Sequence, residues 1–247
     1  MVWTLARPAV RNALDLATMT ALEAAADEAE AEPDVRAVVL EGEGDAFSAG
    51  GDLNEVRSLT EPEPTGAFSD LGHRVLGRLE ALRVPIVAAV RGAALGGGAE
   101  LALACDLRVV DATTRLSFKH ARMATVTSWG TTARLLALVG RGRALHALLT
   151  ARDFTGEEAV LAGLAEVLAA DAREGARALA ADVARSAPGA VRAHKRLVRA
   201  GGARDLERAL FVETWTGDEH AEAVRAHFER RAPAWAQGSG RGSRGST

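Results

Sequence analysis

Two short glycine-rich stretches carry the clearest chemistry in this chain. One runs Asp45-Ala46-Phe47-Ser48-Ala49-Gly50-Gly51-Asp52-Leu53; the other is Gly96-Gly97-Gly98-Ala99-Glu100. Each follows a strand pattern and leads into a helical one. Glycine tolerates positive φ and lets backbone come close to a ligand. A helix N-terminus leaves N–H groups unpaired at the positive end of its dipole. Two such turns side by side can aim two N–H groups at one oxygen, which makes an oxyanion hole. Removing one donor of such a hole costs roughly 3–4 kcal/mol in a protease. Taken singly, each stretch reads equally well as a tight strand-to-helix turn, and Glu100 as a carboxylate complementing the dipole. Neither has the spacing of a dinucleotide or phosphate-binding loop.

Other chemistries find little support. Cys105 is the single cysteine, so neither an internal disulfide nor a cysteine metal cluster can form. His73, His146, His194, His220 and His227 scatter over helical segments without a metal-site pattern, and HExxH is absent. The net charge is −3 with no Lys/Arg-rich block, which argues against nucleic acid or an anionic membrane as partner. The apolar stretch from Ile86 to Ala104 is interrupted by Arg91, Glu100 and several glycines, so it is a poor membrane span. A start without a signal-peptide pattern and a lone cysteine predict a cytoplasmic protein.

The positioning elements follow from periodicity and punctuation. A helix fits Asp15 to Ala31, with Asp15 as its cap and Pro33 beyond its end. Val35–Leu40, Ile86–Val90 and Leu107–Val110 read as buried strands. Glu61–Thr65 (EPEPT) reads as an exposed acidic loop, the most mobile of the first half, with a helix from Phe68 to Leu82 after it. Helices then dominate: Thr131–Val139, Ala144–Leu149, Gly156–Ala162, Asp171–Arg185, Pro188–Ala200, Asp205–Trp215 and Asp218–Arg230. Strand–helix units followed by helices alone predict a layered α/β core over residues 1–186 and a helical region over 187–236. The Gly/Ser/Arg-rich residues 237–247 read as a disordered tail.

Several pieces together resemble one family. Arg7-Pro8 with Asn12-Ala13-Leu14, AVVLEGEGDAFSAGGDL, PIVAAVRGAALGGGAELALACDLRVV, TTARLLALVGRGRALHALL and FTGEEAVLAGLAEVL follow the order and spacing of the crotonase (enoyl-CoA hydratase/isomerase) superfamily. The resemblance spans nearly the whole chain. It implies an α/β spiral of ββα units closed by a C-terminal helical trimerisation region, with a homotrimer or dimer of trimers as the assembly. It implies an acyl-CoA substrate and no cofactor or metal beyond the coenzyme A moiety itself. Carried over by position, the oxyanion hole is the N–H pair of Gly51 and Gly97. Ala49, Asp52 and Leu53 would lie along the coenzyme A side, Asp52 also holding its turn. Phe228 and Arg231 would serve the same ligand from a C-terminal helix of a neighbouring subunit.

The chain departs from the family at two places. Hydratases of this family use two glutamates; the first position is Glu100, but the second is His120. The usual Pro-Gly-x-Gly-Gly-Thr run is replaced by Thr127-Ser128-Trp129-Gly130-Thr131-Thr132. The Ser-Trp-Gly with His120 is similar to ethylmalonyl-CoA decarboxylase-like members. Histidine titrates near neutrality and can give a proton to a carbanion. A decarboxylase needs only that donor, because the departing carboxylate leaves its electrons on the enolate. The sequence therefore places decarboxylation of a short carboxyacyl-CoA slightly ahead of 2-enoyl-CoA hydration or isomerisation, with Glu100 and His120 handling the proton. Trp129 is expected as a wall of the acyl pocket. An acyl-CoA-binding or structural protein without catalysis is the remaining reading.

Overall fold

The computed structural model describes residues 1–236; the expected tail at 237–247 lies outside the described residues. The chain runs β1 (Val2–Leu5), α1 (Leu16–Ala31), β2 (Val38–Gly42), β3 (Ala46–Ser48), α2 (Leu53–Val56), α3 (Pro62–Ala81), β4 (Ile86–Val90), β5 (Ala93–Leu95), α4 (Gly97–Ala104), β6 (Leu107–Val110), β7 (Arg115–Ser117), α5 (Thr131–Thr150), β8 (Phe154–Thr155), α6 (Gly156–Ala162), β9 (Val167–Leu168), α7 (Ala172–Ala184), α8 (Pro188–Arg199), α9 (Arg204–Trp215) and α10 (Asp218–Phe228). Three times, two strands come before a helical passage: β2–β3, β4–β5 and β6–β7. The first strand of each pair joins a five-stranded parallel sheet ordered β1-β2-β4-β6-β9, with β1 and β9 at its edges, and the second joins a four-stranded sheet ordered β3-β5-β7-β8, with β8 at its edge. The four-stranded sheet is parallel until β8, which pairs antiparallel with β7. This is the expected spiral of ββα turns.

The strands β2 and β4 are buried throughout, as strands in a parallel sheet with both faces covered must be; both are apolar apart from Glu41, which pairs with Arg177. One face packs with α1, α3 and α4 into the main core, through Leu22, Leu40, Leu76, Leu79, Ile86 and Leu101 among others. The other face, Val39, Val87, Ala89 and Val109, is covered by α7 through Ala176.

Local signals explain most boundaries. The Asp15 carboxylate accepts the Thr18 N–H at 2.7 Å and caps α1, as predicted. Thr155 and Glu158 form a reciprocal capping box on α6 that the sequence reading passed over. The residues expected as a mobile loop, Glu61–Thr65, instead open α3. Pro62 occupies the first helical turn, where its missing N–H costs nothing, and Glu63 faces the positive dipole end. The two short helices expected at Thr131–Val139 and Ala144–Leu149 form one kinked element, α5, with Gly140 at φ 73° between them. The strand expected from Val35 begins at Val38.

The last three helices pack mainly on one another. Lys195 on α8 is the tie to the core: its Nζ lies 2.7 Å from Asp106 Oδ2 and 2.9 Å from the Val84 carbonyl. No helix among the described residues is long and apolar enough to cross a membrane.

Candidate active site

The two glycine turns lie against each other. Gly50 adopts φ 98°, and a Cβ there would stand 2.6 Å from the Leu95 carbonyl oxygen and 3.1 Å from the Gly97 nitrogen. A side chain at Gly98 would meet the Ser48 carbonyl at 2.4 Å. Only glycine allows this approach. Asn12 fixes the first turn from behind: its Nδ2 donates to the Glu43 and Ala46 carbonyls at 2.9 and 2.8 Å, and its Oδ1 accepts from Arg7 N at 3.0 Å. The Gly96 N–H, bonded to the Ser117 carbonyl at 2.8 Å, fixes the second.

Two backbone donors are left over. Leu14 N–H donates to Gly50 O and Asp52 N–H donates to Leu14 O, so the intervening Gly51 N–H points away from that bridge. Gly97 is the first residue of α4, where an N–H has no helical partner. Neither N–H donates to another described residue. A Cβ on Gly97 would stand 3.3 Å from the Gly51 nitrogen, so the two amides share one small space.

Glu100 sits on the first turn of α4 and is 2% exposed. Its Oε1 accepts from Thr131 Oγ1 at 2.9 Å, Ser128 N at 3.2 Å and Trp129 N at 3.4 Å. Its Oε2 lies 3.3 Å from His120 Nε2. His120 comes from a short 3-10 turn, Lys119–Met123, after β7. Its other nitrogen, Nδ1, is buried and bonds to no described group. A carboxylate and an imidazole from different elements thus meet, with one imidazole nitrogen left without a partner among the described residues.

The 127–131 segment closes the site. The Trp129 indole is 2% exposed and meets Phe68 of α3 edge-on at 5.6 Å between centroids. Its Nε1 is buried without a partner. The Trp129 carbonyl accepts from Arg134, whose guanidinium pairs with Glu80 of α3 at 2.6 and 2.9 Å. Thr131, Gly72, Phe68 and Arg134 were not among the expected site residues. The Thr131 hydroxyl carried no sequence signal, because its partner is distant in the chain.

The remaining expected residues fall on the periphery. Asp52 is buried; its carboxylate accepts from Asn54 N at 3.0 Å and from Arg7 Nη2 at 3.0 Å, so it holds the turn and caps α2. Ala49 is half-buried, and Leu53 is exposed beside it. Phe228 stands 81% exposed at the end of α10. Arg231 is engaged by Glu222 at 2.6 and 3.0 Å and by Glu229 at 2.6 Å. Neither joins the Gly51–Gly97–Glu100–His120 group within one subunit. Among the described residues no cluster of His, Cys, Asp or Glu could hold a metal ion.

A family model described as Enoyl-CoA hydratase/isomerase matches residues 1–238. This chain belongs to that family. It is 33% identical over 239 residues to the short-chain-enoyl-CoA hydratase of Clostridium acetobutylicum, covering 93% of this chain and 91% of the relative. Its fold matches the crystal structure of an enoyl-CoA hydratase from Bacillus anthracis with a TM-score of 0.89 and 30% identity, over 94% of this chain and 93% of the other. The crystal structure of an enoyl-CoA hydratase from Polaromonas sp. JS666 gives the same TM-score at 27% identity, over 94% of each chain. Membership makes the protein a crotonase-superfamily enzyme acting on CoA thioesters and agrees with the spiral built from the strands.

Proposed function

We propose that the enzyme hydrates a short 2-enoyl-CoA, using the amides of Gly51 and Gly97 to hold the thioester oxygen as an enolate. The observation that carries this reading is the shared space of those two unpaired N–H groups beside the buried Glu100 and the half-buried His120 paired with it. Glu100 is held by three donors and acts on His120 rather than on the substrate. It keeps the proton of the neutral ring on Nε2, which leaves Nδ1 as an acceptor. Nδ1 takes a proton from water as the oxygen adds to C3. The electron pair moves to the thioester oxygen, where the two amides stabilise it. The imidazolium then returns a proton at C2. No cofactor beyond the coenzyme A moiety is invoked.

The names of the relatives favour hydration, which moves it ahead of the decarboxylation first favoured from the sequence. A second reading keeps its own support: a histidine opposite Glu100 is a good donor to the enolate left by carbon dioxide loss. We also propose that α8–α10 join copies of the chain, as a homotrimer or a dimer of trimers.

The test is mass spectrometry of crotonyl-, malonyl-, methylmalonyl- and ethylmalonyl-CoA incubated with the enzyme. Gain of one water on crotonyl-CoA, lost in Glu100→Gln and His120→Ala, supports hydration. Loss of carbon dioxide from a malonyl-type thioester gives the second reading. Unchanged thioesters that still raise the melting temperature would make the protein a binder and overturn both.

A further inference from the structure

Trp129 lies between α3 and α4, against the amide pair. Its indole is wedged between glycines on two different helices. A Cβ on Gly72 of α3 would stand 2.0 Å from both Cδ1 and Nε1. At the far edge of the ring, a Cβ on Gly97 would stand 2.6 Å from Cζ3 and 2.9 Å from Cη2. The ring therefore spans the gap from α3 to the amide pair. Phe68, one helical turn before Gly72, meets it edge-on and also borders the other amide: a Cβ on Gly51 would lie 3.8 Å from Phe68 Cζ. Both glycines of the amide pair thus border the same aromatic wall.

This wall is held from several sides. The Trp129 backbone N–H is bonded to Glu100, and its carbonyl is held by Arg134, itself paired with Glu80 on α3. Gly72 sits in the middle of a 20-residue helix, where glycine is an unfavourable choice. Its use is explained by the indole, since any side chain there would occupy the ring's position.

We infer that Trp129, seated on Gly72, sets the acyl-chain limit of the site and restricts it to short thioesters. The inference rests on the proposed acyl-CoA function. A thioester with its oxygen on Gly51 and Gly97 must send its acyl chain into the space these rings border. A fixed indole stops a long chain there, and a smaller side chain opens the way between α3 and α4.

The experiment compares kcat/KM for crotonyl-CoA and 2-dodecenoyl-CoA in the wild type, Trp129→Phe, Trp129→Leu and Trp129→Ala. In parallel, calorimetry measures binding of the unreactive butyryl- and dodecanoyl-CoA. The wild type is expected to favour the short substrate by about tenfold or more, the scale at which a pocket wall discriminates methylenes. Trp129→Leu and Trp129→Ala should erase or invert that ratio in turnover and in binding, with Trp129→Phe between. Trp129→Phe retains an aromatic filler and keeps the comparison usable if the smaller variants fold poorly. A wild type that treats both lengths alike, or folded variants whose ratios stay within about twofold of wild type, overturns the inference while leaving any hydration intact. A shift in the binding ratio without turnover of any thioester upholds the inference and defeats the proposed reaction. If no acyl-CoA binds, both fall.

Discussion

The Glu100–His120 pair depends on donors that do no chemistry themselves. Thr131 is the shortest of the three hydrogen bonds on Glu100 Oε1. A hydrogen bond to a charged group is worth about 1.5–3 kcal/mol. Thr131→Val should therefore lower kcat by roughly ten- to a hundredfold with KM nearly unchanged, because in the proposed mechanism Glu100 positions His120 and not the thioester. Steady-state kinetics on crotonyl-CoA check this; equal losses in KM would move Glu100 to substrate binding. At this scale the sequence was informative where position in a motif marks a residue, as for Gly51, Gly97 and Glu100, which the fold brings together. His120 was located by counting along the chain, but its contact with Glu100 appears only once β7 and α4 are placed. Thr131 and Gly72 act through space on distant partners, and nothing local marks them.

Secondary-structure elements join the site through shapes and charges that can be tested in pairs. Gly72→Ala alone should destabilise by about 1–3 kcal/mol, since the new methyl overpacks against the Trp129 indole. In a Trp129→Ala background the same substitution should be neutral or stabilising, because alanine is the better helix former by up to about 1 kcal/mol. Urea unfolding of the four proteins measures the coupling; additive effects would mean the helix and the ring do not touch. A second case is β8. Lys119 chiefly, with Arg115, holds the Asp153 carboxyl down at about 2. A depressed carboxyl stabilises the fold above its unfolded value, and that contribution disappears as pH falls through about 2. The stability gap between wild type and Asp153→Asn should thus be largest near neutrality and close at the acid end. A gap constant across a pH series of urea titrations would remove the ion pairs from the account. Elements bounded by strong punctuation, such as α1 behind Asp15 and α8 at Pro188, were legible from the sequence. The start of α3 was not: the prolines and acidic residues of EPEPT read as loop, yet both residue types are favoured in a first helical turn. Sheet order was beyond periodicity altogether, because β3, β5 and β7 are three-residue strands.

The whole molecule leaves its C-terminal helices with unsatisfied apolar surface. Phe211 and Trp215 are each 57% exposed, and Trp215 stacks on His220 at 4.3 Å. With Val212, Val224 and Phe228 exposed on the same helices, this surface fits the proposed self-association. Sedimentation should find the wild type larger than a monomer. Phe211→Asp with Trp215→Asp should shift it to monomer while urea unfolding remains cooperative. A wild type that sediments as a monomer would sink the proposal. The order of elements, strands with helices early and helices alone late, was readable from the order of patterns, whereas the Lys195–Asp106 tie was not.

Cys105 closes α4, the helix that carries both Gly97 and Glu100, and its thiol is 3% exposed. Burial pushes that thiol up to about 12, so the thiolate needed for alkylation is essentially absent while the helix stays packed. The protein therefore carries its own clock. With no other sulfhydryl in the chain, the rate at which a thiol reagent labels the native enzyme counts how often α4 opens to solvent. An acyl-CoA that clamps the ends of α3 and α4 should slow that clock without touching the cysteine.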